Sequence, residues 1–269
     1  GSSPLRLSGT SMAAPHVTGV MALLRQAHPA WTVEELKALA MNSADPGIFT
    51  GAGHTGPKEA PQRVGTGTVD VGEALKTKTL AFASGTDGTV GVSFGALEVP
   101  PGQPFTRQAT IKVENKSASS EIVTGAYTAR TSVPGVSFSF PQGNVLLLEP
   151  GESSELALRL SITDPSALRN SRDSTLLSGS GRQWLAEASG LVSLADSGNR
   201  TSLVPVHASV RPVSTLGTTE ETRRLATPEG TGQIQVDGQF VSTGTGSGDF
   251  NSLVTPLELQ ATSPQLNLP

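Results

Sequence analysis

The chain has no cysteine, which excludes a disulfide framework and any thiolate-bound metal. Its four histidines, His16, His28, His54 and His207, are too scattered to form a metal site instead, and no clustered Asp/Glu spacing suggests calcium. No metal and no cofactor are therefore expected. Positive charge is not in excess either. Lys and Arg number 19 against 23 Asp and Glu, for a formal net charge of −4, and no basic cluster appears, so nucleic acid is excluded as a partner. Long apolar runs are missing as well. None approaches the roughly 18 to 20 residues needed to cross a bilayer, so no membrane span is expected in this chain. Residue 1 opens in the middle of a pattern, and any export signal is expected upstream.

What is present is glycine and proline, 30 and 19 of 269 residues, with only 16% charged and 36% hydrophobic residues. That composition fits a strand-rich, loop-rich protein with a small helical share, and the length suits two compact units. From Ser11 to Ala27, Val17, Val20, Met21 and Leu24 recur at helical spacing among small residues, which predicts a helix buried on most sides. His28-Pro29 ends it. A second helix starts at Thr32, where Thr32 and Glu35 have capping-box spacing and Val33, Leu36, Leu39 and Ala40 form the apolar stripe, and it stops near Asn42. Residues 45 to 68 read as an exposed loop, and Asp70 caps a short helix through Ala74 and Leu75.

Beyond residue 80 the period becomes two. Ala109, Ile111 and Val113 alternate with polar neighbours, as do Val136, Phe138 and Phe140, then Leu156 to Ile162 and Val204 to Val210. Turn signals at Asn115-Lys116-Ser117, Pro134-Gly135 and Pro150-Gly151 punctuate them, which favours an antiparallel β-sandwich over 80–215. A polar insertion is expected near 163–188. Residues 216–269 read as a linker and partial β segment, with strands near Ile234 to Val241 and Leu257 to Leu259.

The segment Ser8-Gly9-Thr10-Ser11-Met12-Ala13-Ala14-Pro15-His16-Val17 resembles the nucleophile motif of the subtilisin-like serine proteases. The likeness continues through Pro29 to Thr32, the helix to Ala44, and Gly65-Thr66-Gly67-Thr68-Val69-Asp70-Val71, so it covers residues 1–79. The implied fold class is α+β: the helical C-terminal remnant of an α/β subtilisin-like domain, followed by the sandwich. The resemblance implies a secreted or cell-surface serine endopeptidase with Ser11 as nucleophile and a protein or peptide as substrate. Its triad aspartate and histidine and its oxyanion asparagine would all precede residue 1, in an upstream part of the same catalytic domain.

Physical chemistry gives the motif a rationale. A serine in the first turn of a helix has free backbone N–H groups beside it and the positive end of the helix dipole beneath it, so an oxyanion forming there is stabilised. Ser11 N–H is the assigned donor. Gly9 leaves room for a substrate backbone, and Thr10 stands beside it in the substrate-binding segment. Pro15 has no N–H to offer the Ser11 carbonyl, so the first turn stays open. Gly9 and Pro15 also admit the plainer readings of a turn glycine and a first-turn proline. The serine needs a base, yet His16, five residues on, is rotated about 140° and displaced about 7.5 Å along the axis. It reads as a hydrogen-bonded structural histidine, His28 as a satisfied helix end, His54 as a loop residue and His207 as a surface or edge position on a strand. The chain alone is therefore expected to be inactive and to expose apolar helix faces.

Two further segments imitate catalytic motifs. Asp196-Ser197-Gly198 has the form of the family's aspartate motif but follows the serine and has hairpin-turn composition. Gly91-Val92-Ser93-Phe94-Gly95 has the G-x-S-x-G form but lies in a strand-like run. Asn115-Lys116-Ser117 and Asn199-Arg200-Thr201 are sequons short enough to occur by chance. Residues 80–215 resemble, in pattern, the fibronectin-III-like domain that follows the catalytic domain in larger subtilisin-like proteases. An alternative reading is a non-catalytic extracellular adhesion or interaction module.

Overall fold

The computed structural model of the chain describes residues 7–85, 88–100, 102–168, 171–172, 184–185, 187–213, 217–218, 222–224, 230–241, 251–261 and 265–267. It is a mix of a few helices and many strands. Helix α1 spans Thr10–Ala27 and is capped by His28, whose N–H donates to the Leu24 carbonyl at 2.9 Å. Helix α2 spans Val33–Asn42. The capping box before it is complete: Glu35 N–H donates to the Thr32 hydroxyl at 3.2 Å, and Thr32 N–H to Glu35 Oε2 at 2.7 Å. The stretch expected as a loop instead contains the hairpin β1 (Phe49–Gly51) and β2 (Thr55–Lys58) and the short α3 (Pro61–Val64). Gly53 and His54, both at positive φ, turn the hairpin. Neither strand has a buried residue, so no alternation marked them in the sequence. Asp70 caps α4 (Val71–Ala74) by accepting Glu73 N–H at 3.0 Å.

The sandwich is built from β3 (Thr79–Ala83), β4 (Val92–Val99), β5 (Phe105–Asn115), β6 (Glu121–Thr131), β7 (Val136–Ser139), β8 (Val145–Leu148) and β9 (Ser153–Ile162). Further along come β10 (Ser171–Arg172), β11 (Trp184–Leu185), β12 (Glu187–Ala195) and β13 (Thr201–Pro212). One sheet has the order β3-β5-β9-β7 and the other β4-β13-β12-β6-β8. All these pairs are antiparallel except β4 with β13, which run parallel, so the antiparallel expectation is corrected at one edge. Inside the expected insertion, β10 pairs with β11, and a single 3-10 turn covers Pro165–Ala167. Farther on lie β14 (Gly217–Thr218), β15 (Thr222–Arg224), β16 (Gly230–Val241), β17 (Asn251–Ala261) and β18 (Gln265–Asn267). The long antiparallel β16–β17 pair takes in both strand positions read from the sequence.

Two cores result. The larger fills the sandwich with Val92, Ile111, Val123, Leu158, Val192, Val206 and their neighbours. The smaller joins α1, α2 and α4 to one face of β3 through Leu24, Leu36, Leu39, Ala74, Leu80 and Phe82. Because side chains alternate along a strand, β3 serves both: Leu80 and Phe82 face the helices, and Ala81 faces the sandwich. Strand β3 is an edge of its sheet, and an open edge leaves backbone groups unpaired. Asn42, the last residue of α2 and fully buried, closes it. Ala81 N–H donates to Asn42 Oδ1 at 2.9 Å, while Asn42 Nδ2 donates to the Ala81 carbonyl at 3.2 Å and to the Leu203 carbonyl of β13 at 2.9 Å. Ser202 Oγ adds a bond to the Thr79 carbonyl at 2.7 Å.

An ion cluster fastens the other end of α2. Lys116 Nζ bridges Glu35 of the capping box and Glu114 of β5, and stands 5.7 Å from the Trp31 ring centre. Burial pushes the Glu35 and Glu114 carboxyls up, but hydrogen bonds from Lys116, joined by Thr32 N–H at Glu35 and Lys112 at Glu114, outweigh it and hold both below the ordinary value of 4.5. A depressed carboxylate contributes stability that is complete above its unfolded value and is lost as pH falls through the folded one. Burial pushes the Lys116 ammonium down and its two glutamate partners outweigh that, so its own contribution is present throughout the neutral range.

Two outcomes follow from these contacts. Asn42→Ala strands buried backbone groups at Ala81 and Leu203, and should cost roughly 2 to 4 kcal/mol in urea unfolding; a loss below about 0.5 kcal/mol, the range of neutral surface changes, would contradict the clamp. Lys116→Met should lower the urea midpoint at pH 7. That deficit should shrink as the pH is taken below 4.5 and through the lowered values of the two glutamates, where wild type itself loses their charge, whereas a deficit that stays equal throughout that descent would remove the ion cluster from the account.

Candidate active site

The resemblance placed catalysis at the start of α1, and the backbone there is open. Gly9 precedes the helix with φ 145°, a region that side chains rarely adopt, and a Cβ built on it meets no atom within 4 Å. Glycine is needed for its backbone angle, and space is left on its surface. The Gly9 carbonyl accepts Met12 N–H at 3.0 Å and Ala13 N–H at 3.1 Å. Thr10 and Ser11 N–H have no acceptor among the described residues. These are the orphan donors of a helix start. No acidic side chain in the first turn and no side-chain cap offsets the positive end of this 18-residue helix. Ser11 is exposed, in the second helical position, and its hydroxyl makes no hydrogen bond among the described residues. Pro15, inside the helix, leaves the Ser11 carbonyl without its usual N–H.

The helix is less covered than its apolar spacing suggested. Only Val20 and Leu24 are buried, and Val17 and Leu23 are exposed. The reason is geometric: α2 and α4 pack on one face of the second half of α1, and in the first half every residue but half-buried Met12 is exposed.

None of the histidines hydrogen-bonds to Ser11 among the described residues. His16 Nδ1 lies 2.6 Å from the Met12 carbonyl one turn back, as befits a structural histidine. His28 stacks on Trp31 with ring centres 4.0 Å apart. Its Nε2 is buried without a partner, so the expected satisfied helix end holds for the backbone alone. His54 sits at positive φ in the β1–β2 hairpin, 5.5 Å from the Phe49 ring. His207 lies on β13, an interior strand, with Nε2 at 2.9 Å from Glu187 Oε1. That corrects the edge reading, because a parallel neighbour, β4, covers the side of β13 away from β12.

The imitation motifs are structural. Asp196 is buried and accepts Gly198 N–H and Arg200 N–H at 2.9 Å each, shaping the turn between β12 and β13. Gly91 to Gly95 lead into and along β4, where Gly95 at φ 71° shifts the burial alternation and makes a bulge against β13. Asn115 is fully buried, its Nδ2 donating to the carbonyls of Ser119 and Leu148 at 2.8 and 3.0 Å. Asn199 stands exposed in a turn at φ 62°. A cavity of about 480 Å³ between α4 and the β12–β13 turn is lined by Asp45, Asp70, Glu73 and Arg200 among others, and one of about 340 Å³ lies beside Glu35 and Glu114. Neither reaches Ser11, and among the described residues no group of His, Cys, Asp or Glu could hold a metal. Sequence reasoning did not single out Asn42 as a clamp or Lys116 as a bridge, since neither has a local signal.

Known proteins share these features in part. Residues 4–85 match the model of the subtilase family, and this similarity supports a serine protease family for that stretch. The minor extracellular protease Vpr of Bacillus subtilis (strain 168) is 25% identical over 179 residues, covering 66% of this chain and 20% of Vpr. The subtilisin-like protease SBT1.9 of Arabidopsis thaliana is 51% identical over 51 residues, covering 18% of this chain and 7% of that protein. The chain thus spans a fifth or less of the length of these two relatives. Among solved structures, the ASH/PapD-like domain of human CEP192 matches with a TM-score of 0.33 and 11% identity over 51% of this chain and 87% of that one. The secreted serine protease VesC from Vibrio cholerae matches with a TM-score of 0.26 and 9% identity, over 65% and 45%. Scores this low assign no fold.

Amide hydrogen exchange checks the open helix start. Thr10 and Ser11 amides should exchange at nearly unprotected rates, while those around Leu24 are retained far longer. Protection of Ser11 comparable to Leu24 would mean that the donor is already occupied.

Proposed function

We propose that Ser11 is the nucleophile of a secreted subtilisin-like serine endopeptidase, and that residues 1–79 are the helical C-terminal part of its catalytic domain. Ser11 Oγ attacks the scissile carbonyl of a protein or peptide substrate. Ser11 N–H and the dipole of α1 stabilise the oxyanion, and Gly9 and Thr10 border the substrate backbone. The proton is taken by a histidine oriented by an aspartate, both supplied from sequence outside these 269 residues, as is an asparagine donor to the oxyanion. Residues 80–215 act as a fibronectin-III-like companion domain that packs on the catalytic part.

One observation carries the reading: within a match to the subtilase family, the motif serine stands exposed at a helix start beside N–H groups that have no acceptor among the described residues. Its four histidines make their contacts elsewhere, which is why the base is assigned to another segment. The extracellular assignment rests on the name of the Bacillus relative. No described helix is long and apolar enough to cross a membrane.

A fluorophosphonate probe and a peptide-hydrolysis assay test this together. The product of the complete coding sequence should be labelled at Ser11, and Ser11→Ala should lower hydrolysis by at least about a thousandfold. His16→Ala should retain activity within about tenfold, since a positioned general base is worth more than that. The 269-residue chain alone should label no faster than free serine. Labelling elsewhere, or a His16 variant as inactive as Ser11→Ala, would overturn the assignment.

A further inference from the structure

Among the described residues, one edge of the sandwich is both unpaired and apolar. Strand β8 pairs with β6 on one side and, among the described residues, ends its sheet on the other. Its sequence, Val145-Leu146-Leu147-Leu148, has none of the charges, prolines or bulges that usually guard an edge. Val145 and Leu147 are 58% and 64% exposed, and Ile122, directly opposite Leu147 on β6, is 53% exposed. These three side chains share the outer face, while Leu148 is buried in the core and Leu146 packs against it.

The register states which backbone groups are free. Gly125 N–H donates to the Asn144 carbonyl at 2.7 Å, so 125 and 144 form a hydrogen-bonded pair in the β6–β8 ladder. Hydrogen-bonded and non-hydrogen-bonded pairs alternate. Leu146 and Leu148 therefore direct their N–H and C=O groups to β6, and Val145 and Leu147 direct theirs outward. Two outward residues spaced two apart are self-complementary under a twofold axis.

We propose that this edge is a homodimer interface, with a second copy of the chain as its occupant: β8 pairs antiparallel with its twin about an axis through Leu146. In that register Val145 faces Leu147 of the twin, and all four outward N–H groups find outward carbonyls. The outer face then carries a continuous apolar row from Ile122 through Leu147 to the twin's Val145, repeated by symmetry. Charge permits it. Glu149, next in sequence after β8, falls opposite Gly143 of the twin, and the two Glu149 residues stand roughly 20 Å apart at strand spacing, beyond the screening length of about 8 Å in physiological salt. An unrelated extended peptide would satisfy the same hydrogen bonds, but only the twin brings its own Val145 and Leu147 to cover these.

Sedimentation equilibrium of the 269-residue chain from about 1 to about 100 µM tests the proposal. Wild type should reach twice the chain mass within that range. Leu147→Pro removes only an outward N–H, a place where an edge strand tolerates proline, and Leu147→Lys adds an edge charge. Each should weaken dimerisation at least about tenfold with the circular dichroism spectrum unchanged. Leu146→Cys, in a chain otherwise free of cysteine, should oxidise to a covalent dimer, because the twofold sets the two Cα atoms about 4.5 Å apart in a non-hydrogen-bonded pair. Wild type that stays monomeric throughout, including one that binds an added extended peptide, would overturn the proposal. So would a dimer that persists in both Leu147 variants without cross-linking through position 146.

Discussion

The backbone edge of β3 is closed by an asparagine rather than by another strand, and the joining of helices to sandwich depends on it. An edge strand inside a protein presents donors and acceptors that cannot be left dry. The primary amide of Asn42 has the donor and acceptor that a neighbouring peptide group would offer. It fills both roles toward Ala81, with a second donor left for Leu203. With those groups satisfied, β3 can be buried on both faces, and its alternation lets one five-residue strand belong to two cores.

The rest of the helical layer is positioned from there. Asn42 ends α2, the complete capping box begins it, and Lys116 ties that box to β5 and to Trp31. Helix α1 leans on α2 and α4 through buried Val20 and Leu24, with half-buried Met21 packed beside them. Its first half, with Ser11, projects from the anchored half, so the open N–H groups are held by a rod whose far end is fixed. Two edge strands of the sandwich have contrasting fates among the described residues: β3 is satisfied within the chain, whereas β8 keeps its outward backbone groups and its apolar side chains.

Local chemistry was legible in the sequence. The capping box at Thr32 and Glu35, the Asp70 cap, the end of α1 at His28 and the period-two strands are each written within a few residues, and the structure has them. Long-range chemistry was not. Asn42 and Leu203 are separated by 161 positions, and nothing near Asn42 says that its amide will act as a strand. The parallel partner of β13 was hidden for the same reason, and the β1–β2 hairpin because its side chains meet solvent on both faces. At the start of α1 the motif identified Ser11 by resemblance, and helix geometry alone sufficed to set His16 aside. The exposed Val17 and Leu23 of α1 match the expected open apolar helix faces, because apolar spacing states which face wants a neighbour, not whether these residues supply one.

The central claim is that β3 and Asn42 weld helices and sandwich into one cooperative unit. With Trp184 replaced by Phe, Trp31 is the sole tryptophan and reports on the helical layer, while far-ultraviolet circular dichroism reports on the strands. Urea unfolding followed by both signals should give coincident transitions. If the Trp31 signal is lost at distinctly lower urea than the strand signal, the helical layer is an independent appendage and the account of β3 is wrong.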